Sequence, residues 1–277
     1  MSRNADPPPA QKVQKRDGSF TTKTATNIWF EEPASENSYL VENAFCHGYN
    51  LIDLIRKRSF ADTVYLLLRG ELPNKEQSEL FGCLMVAFMS PGPRHPATRA
   101  AVLAAVGKTD PALILPLSLS ILTGENYGAY DVLPAMRFIV RNSRKAPQQV
   151  AEDIVKQVKD DSETAVPGFG NLFNGVDPLT NKIADTLTQL PGAGECMHWS
   201  VSFVAELRRA NIGWLPTGLF AAVLCDLGFN PKLGAGLYQL CSAPGLLAHG
   251  MEFVGKPLTS VPFPDDDHYH IETEIVE

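Results

Sequence analysis

The chain lacks a membrane span. Across its 277 residues no apolar run approaches the ~20 residues a bilayer-crossing helix needs, and the polar N-terminus has no apolar core of a secretory signal. Cysteine is scarce. Cys46, Cys83, Cys196, Cys225 and Cys241 are scattered and odd in number, with no CxxC or His/Cys cluster, so neither a disulfide framework nor a metal site is expected. Most of them sit among apolar residues, as small hydrophobes of a reducing, cytoplasmic compartment do. A lysine- and arginine-rich stripe is also missing. With 24 basic against 31 acidic side chains and a net charge of -7, nucleic acid is not an expected partner. Beyond residue 35 there is no convincing strand alternation, and no segment repeats.

What is present is a soluble-type composition, 44% hydrophobic and 20% charged, arranged with helical spacing. FADTVYLLLRG places Val64, Leu67 and Leu68 on one face and stops at Gly70. Asn74 and Gln77 have the spacing of a capping box, opening a helix with Leu80, Phe81, Leu84, Met85 and Phe88 on one face. Further helices are expected at 95–107, at 111–122 with a kink at Pro116, and at 131–141. Val150, Ile154 and Val158 form an apolar stripe, as do Ile183, Leu187 and Leu190. The last helices fall at about 195–209, 216–228 and 231–254, the final one interrupted at Pro244-Gly245. Residues 1–18 read as a flexible tail and 19–32 as a short hairpin or extended arm. GYNLIDLIRK reads as a turn into a helix, and the acidic C-terminus as an extended tail.

One stretch stands out, AVPGFGNLFNGVDPL at 165–179. Gly168, Gly170, Gly175 and Pro167 force a loop, and Asp177-Pro178 has the N-cap and first-position residues of a helix start. Such a loop is either a surface turn between helices or a cradle of backbone N–H groups for an anion or a nucleotide edge.

Its neighbours in the sequence give a context. GYNLIDLIRKRSFADTVYLLLRGELPNKEQSELF (48–81), LTGENYGA (122–129), VPGFGN…DP (166–178) and LGFNPKLGAGLYQLCSAPGLLAHGMEF (227–253) resemble, in order, four segments of the citrate synthase superfamily. The short length is most similar to its citryl-CoA lyase branch and to the lyase-like module of ATP-citrate lyase. The resemblance implies an all-α, citrate synthase-like fold of two helical domains. The larger would hold residues 36–126 and 220–277, the smaller 127–219, and residues 1–35 would be a flexible or extended arm. It further implies a homodimer or higher oligomer, with an acyl-CoA and a keto acid held between the domains. A coenzyme A thioester would be a substrate, and no cofactor would be permanently bound.

The family's reaction makes or breaks a C–C bond beside a thioester. A carboxylate takes a proton from the acyl α-carbon, hydrogen-bond donors stabilise the enolate and the partner's carbonyl, and arginines hold the keto acid's carboxylates. By the resemblance, the enolate-stabilising histidine falls on Tyr127 and the carbonyl-polarising histidine on Asn171. The base falls on Gly213, the arginines on Leu179, Ser242 and Val261, and a further histidine segment on Ser90-Pro91-Gly92. Oxaloacetate or citrate would be poorly held by such a set.

Tyr127 and Asn171 are hydrogen-bond donors at neutral pH and so remain candidate catalytic groups; the alternative is that they only fill space. Glu125 and Asp131 flank Tyr127 and are either a substitute base or helix-end charges. On the thioester side, the resemblance assigns Val166, Pro167, Gly168, Phe169 and Gly170 to coenzyme A binding through the backbone. His198 reads as a satisfied buried histidine, His249 and Glu252 as structural, and His268 and His270 as part of an exposed tail. Two functions follow: a C–C lyase or acyltransferase with a second substrate less acidic than oxaloacetate, or a catalytically inactive homologue that binds acyl-CoA or partners an active paralogue.

Overall fold

The structure, a computed structural model, describes residues 25–156, 164–265 and 267–269. The 1–18 tail, Val158 of the expected stripe, and His270 with the acidic end lie outside the described residues. The chain divides into two compact units, Met1–Leu51 and Ile52–Glu277. In the first, β1 (Trp29–Pro33), β2 (Val41–Cys46) and β3 (Tyr49–Asn50) form an antiparallel sheet in that order. A two-residue turn, His47-Gly48, joins β2 to β3, and both residues have positive φ, as the tightest hairpins require.

Eleven α-helices follow among the described residues. The first, α1, runs Leu51–Lys57. Most of the rest declare their starts in the sequence. α2 (Phe60–Arg69) opens with a Ser59/Asp62 capping box and ends at Gly70, which is left-handed with φ 80°. α3 (Lys75–Ala87) opens with the Asn74/Gln77 box. Proline stands in the first turn of α4 (Pro96–Val106), α5 (Pro111–Leu122), α7 (Pro147–Val155), α8 (Pro178–Thr188) and α10 (Pro216–Asp226). α6 is Val132–Asn142, entered through a 3-10 turn at Ala129–Asp131. α9 (Glu195–Leu207) has no local cap. Instead the Asp226 carboxylate, at the far end of α10, accepts from the N–H groups of Gly194, Cys196 and Met197 at 2.8–3.0 Å.

α10 is the centre of the helical unit. Every residue from Leu219 to Leu224 is buried, the signature of a helix enclosed on all sides. α6 and α9 pack against it, and Phe220 meets Phe88 and Tyr238 edge to face. Burying a side chain of that size contributes roughly 1.5–3 kcal/mol, so this helix fixes the positions of everything around it. α11 (Gly234–Phe253) covers α4 and α5.

Two expectations change. The helix at 231–254 is not interrupted at Pro244-Gly245: α11 is continuous through Pro244. The Gly245 N–H, next to the proline, bonds outward to the Met89 carbonyl at 2.8 Å, so that donor is satisfied by a neighbouring segment. Strands also occur beyond residue 35. Besides β2 and β3, β4 (Thr164–Val166), β5 (Phe169–Gly170) and β6 (Gly213–Trp214) form a second small antiparallel sheet. Strands of two or three residues are too short to show alternation.

Candidate active site

A cleft of about 670 Å³ opens where several helices begin. Its wall includes His95 and Pro96 at the start of α4, Asp177, Leu179 and Thr180 at the start of α8, and Leu215, Pro216 and Thr217 at the start of α10. Asp131, which precedes α6, and Tyr238 of α11 complete the floor. Three helix N-termini therefore face one space; at α8 the Asp177 carboxylate already accepts from the Leu179 and Thr180 N–H groups, so the fractional positive charge left to favour an anion is that of α4 and α10.

Asp131 is the best-defined group. Its Oδ2 accepts from the Gly168 N–H at 2.7 Å and from the Thr217 hydroxyl at 2.9 Å. Burial pushes its carboxyl above the usual carboxylate range, and these two hydrogen bonds pull against that shift. The seat is built by glycine. Gly168 has φ +83°, and a Cβ there would lie 2.5 Å from Gly218 Cα in α10. The Gly168 carbonyl accepts from Leu215 N at 3.0 Å. The loop thus rests backbone to backbone on the central helix, and Asp131 bridges the two.

The other wall is strained. Tyr127 has φ 62°, uncommon for a bulky residue. Its carbonyl accepts a 2.9 Å hydrogen bond from His95 Nε2, while His95 Nδ1 accepts from the Ala97 N–H at 3.1 Å and caps α4. Those two partners fix the neutral tautomer with the proton on Nε2, and burial pushes the imidazole below the ordinary histidine range. The Tyr127 ring stacks on Phe173 with centroids 5.9 Å apart. Phe173 and Asn174, both at positive φ, turn a tight hairpin between Leu172 and Gly175, closed by bonds of 2.8 and 3.0 Å. Asn211 Nδ2 braces it by donating to the Asn174 carbonyl at 3.0 Å.

No family model and no curated protein matches this chain. Solved structures do. Citryl-CoA lyase from Hydrogenobacter thermophilus superposes with a TM-score of 0.74 at 24% identity, over 92% of this chain and 96% of that one. ATP citrate lyase from Methanothrix soehngenii, solved with citrate and coenzyme A, matches with a TM-score of 0.67 at 16% identity, over 92% of this chain and 44% of that longer one. Citrate synthase from Thermoplasma acidophilum, in a ternary complex with carboxymethyl coenzyme A and oxaloacetate, gives 0.59 at 16% identity, over 79% and 59%. The fold is the citrate synthase fold.

On this citrate synthase fold, the four residues singled out as catalytic candidates come together. Glu125, Tyr127, Asp131 and Asn171 all line the cleft. Of the positions where the resemblance expects charge, Leu179, Ser90 and Pro91 line it too. Ser242 is buried in α11 with its hydroxyl 3.4 Å from the Phe88 carbonyl. Gly213 lies in β6, paired with Gly170, where a Cβ would run into Val176. The Val166–Gly170 loop forms no part of the cleft wall. Gly168, Phe169 and Gly170 are buried and Val166 and Pro167 half-buried, and the backbone pairs with β4, β6, Asp131 and Leu215.

Among the lining residues that sequence reasoning missed are Arg94, His95, Phe173 and Thr217. His95 had a signal, since it stands immediately before Pro96 at the first helical position, where an N-cap belongs. His198 is exposed rather than buried. The inward face of α9 runs through Met197, Ser200, Phe203, Val204 and Leu207, and His198 falls outside that stripe. No group of three or more His, Cys, Asp or Glu suited to a metal occurs among the described residues.

Proposed function

We propose that this protein binds an acyl-CoA thioester and makes or breaks a C–C bond at its α-carbon, with a carbonyl partner less acidic than oxaloacetate. The observation that carries this reading is Asp131: a carboxylate at the cleft, held by two donors through one oxygen, with burial raising it above the usual carboxylate range. In the forward direction Asp131 takes a proton from the α-carbon. The electron pair moves onto the thioester oxygen, and the resulting enolate carbon attacks the partner's carbonyl, whose oxygen then takes up a proton. Lysis is the reverse. Tyr127 and Asn171 supply hydrogen-bond donors for the two oxygens, and the N-termini of α4 and α10 favour the developing negative charge.

His95 acts on position. By donating to the Tyr127 carbonyl it holds the strained turn that presents the phenol. The loop 166–170 serves coenzyme A through its partly exposed edge at Val166 and Pro167, with the rest of its backbone committed to the scaffold. The protein works as a homodimer in a reducing, cytoplasmic compartment, which the five free thiols suit.

The second reading, a non-catalytic acyl-CoA binder or partner subunit, is favoured by Leu179 on the cleft wall and Ser242 buried beneath Phe88, where arginines would serve an acidic substrate. One experiment separates the two. Incubated in D₂O with acetyl-CoA, the wild-type protein should exchange deuterium into the acetyl methyl group, read by mass spectrometry. Asp131→Asn should bind acetyl-CoA equally in calorimetry yet exchange it about 10²–10⁴-fold more slowly. Binding without exchange by the wild type would support the inactive homologue, and an unchanged rate in Asp131→Asn would remove Asp131 from the role of base.

A further inference from the structure

Beside the cleft, a groove of about 410 Å³ runs between α3 and α8. Cys83 and Val86 of α3 and Ile183 and Leu187 of α8 make its walls apolar, and Lys182 and Thr186 are its polar edges. Ala87 and Ile183 line both this groove and the cleft, so the two spaces adjoin. Within the groove α3 carries a glycine, Gly82, over which a Cβ would meet nothing within 4 Å. A helix interior gains nothing from glycine locally, since alanine is about 1 kcal/mol better there, but its missing side chain leaves the groove open.

The cleft end of α8 carries Leu179, so the helix that walls the groove also presents an apolar side chain to the cleft. We infer that the groove holds an unbranched aliphatic chain of the substrate, on the acyl group of the thioester or on the carbonyl partner, so that the reaction joins or releases a product with an alkyl arm. The inference rests on the C–C bond chemistry proposed above for the cleft.

The test is calorimetry on two homologous series, acetyl- to octanoyl-CoA and pyruvate to 2-oxooctanoate, with the wild type and Gly82→Phe. Each methylene entering the groove should tighten binding about fourfold, the equivalent of ~0.8 kcal/mol per buried CH₂, in the series whose chain uses the groove. At Gly82 a Cβ meets nothing within 4 Å, so Gly82→Phe places its ring in the groove, and should flatten that gradient while leaving the shortest member's affinity unchanged. A flat wild-type profile in both series, or a gradient that survives Gly82→Phe, overturns the inference while short-chain binding and exchange keep the cleft chemistry intact. A gradient in the 2-oxo acids alone, with no acyl-CoA bound at any length, upholds the groove and overturns the thioester reading. Flat profiles together with loss of the oligomer in Gly82→Phe, seen by sedimentation, would make the groove an interface between copies and so also overturn the inference.

Discussion

Replacing Gly168 with alanine tests whether the loop that holds Asp131 is seated on α10 as the geometry requires. Two costs arise. The first is conformational: at φ +83° an L-residue is left-handed, a strain of roughly 1–2 kcal/mol. Alanine's stiffer unfolded chain returns about 0.4–1 kcal/mol of that. The second is steric. The new methyl would lie 2.5 Å from Gly218 Cα and 3.0 Å from Ala135 Cβ, and both neighbours are in helices of the core, so neither can swing aside. Forcing a methyl into such packing costs about 1–3 kcal/mol.

Gly255 supplies the control. It has φ +80° with nothing within 4 Å of its Cβ position, so Gly255→Ala carries the conformational cost alone, about 1 kcal/mol or less. Gly168→Ala should lose about 2–4 kcal/mol, a large part of a native stability on the order of 5–15 kcal/mol, with Tm lower by roughly 4–16 °C at about 2–4 °C per kcal/mol. Urea unfolding is the assay, followed by circular dichroism and by tryptophan emission. Trp214 pairs with Phe169 in the small sheet, their rings 5.2 Å apart, and so reports the loop directly. If Gly168→Ala unfolds at the same urea concentration as Gly255→Ala, the backbone contact between loop and helix does not exist as described, and the seat of Asp131 goes with it.

Two further outcomes are expected. Tyr127→Phe and Asn171→Ala should each lower the deuterium-exchange or turnover rate about tenfold or more by removing one donor; unchanged rates in both would remove them from the chemistry. His95 is held neutral in the fold, so the unfolded chain binds its proton more readily: native stability should fall as pH drops below about 6.5. His95→Asn, which can still cap Ala97, should flatten that part of the pH profile in urea melts at pH 5 to 8.

The helices were legible because their signals are local. The Asn74/Gln77 box, the prolines at helix starts and the Gly70 stop each act within one turn, and the structure has all of them. The site was legible in part. Glu125, Tyr127, Asp131 and Asn171 were found through their neighbours in motif-like segments, and they meet at one cleft. What escaped depends on distant partners. Thr217 reaches Asp131 across 86 positions, and Asp226 caps α9 from about 30 positions away. No local pattern records either. Nor could the glycine loop's real burden be read from its composition: its glycines suggested free N–H groups for a ligand, whereas Gly168 gives its N–H to Asp131 and Gly170 pairs with Gly213.

The charge arrangement of the cleft bears on which substrate it can serve. A dianion needs its cations in the ground state, as forked side chains that match both carboxylates. Here Leu179 faces the cleft, Ser242 is engaged with a backbone carbonyl, and Arg94 stands exposed at the rim, where water competes with its interactions. Helix N-termini are a different resource. Each offers about half a unit charge, fixed in direction and available without reorganisation. Those of α4 and α10, aimed at one space, favour any anion there, but one that arrives hydrated must first shed its water. They act on a single negative charge that appears after water has left, as it does when an α-proton is removed. Binding energy would then be realised in the transition state more than in the ground state. On the function proposed above, a thioester group that stays neutral until its α-proton leaves would meet that condition.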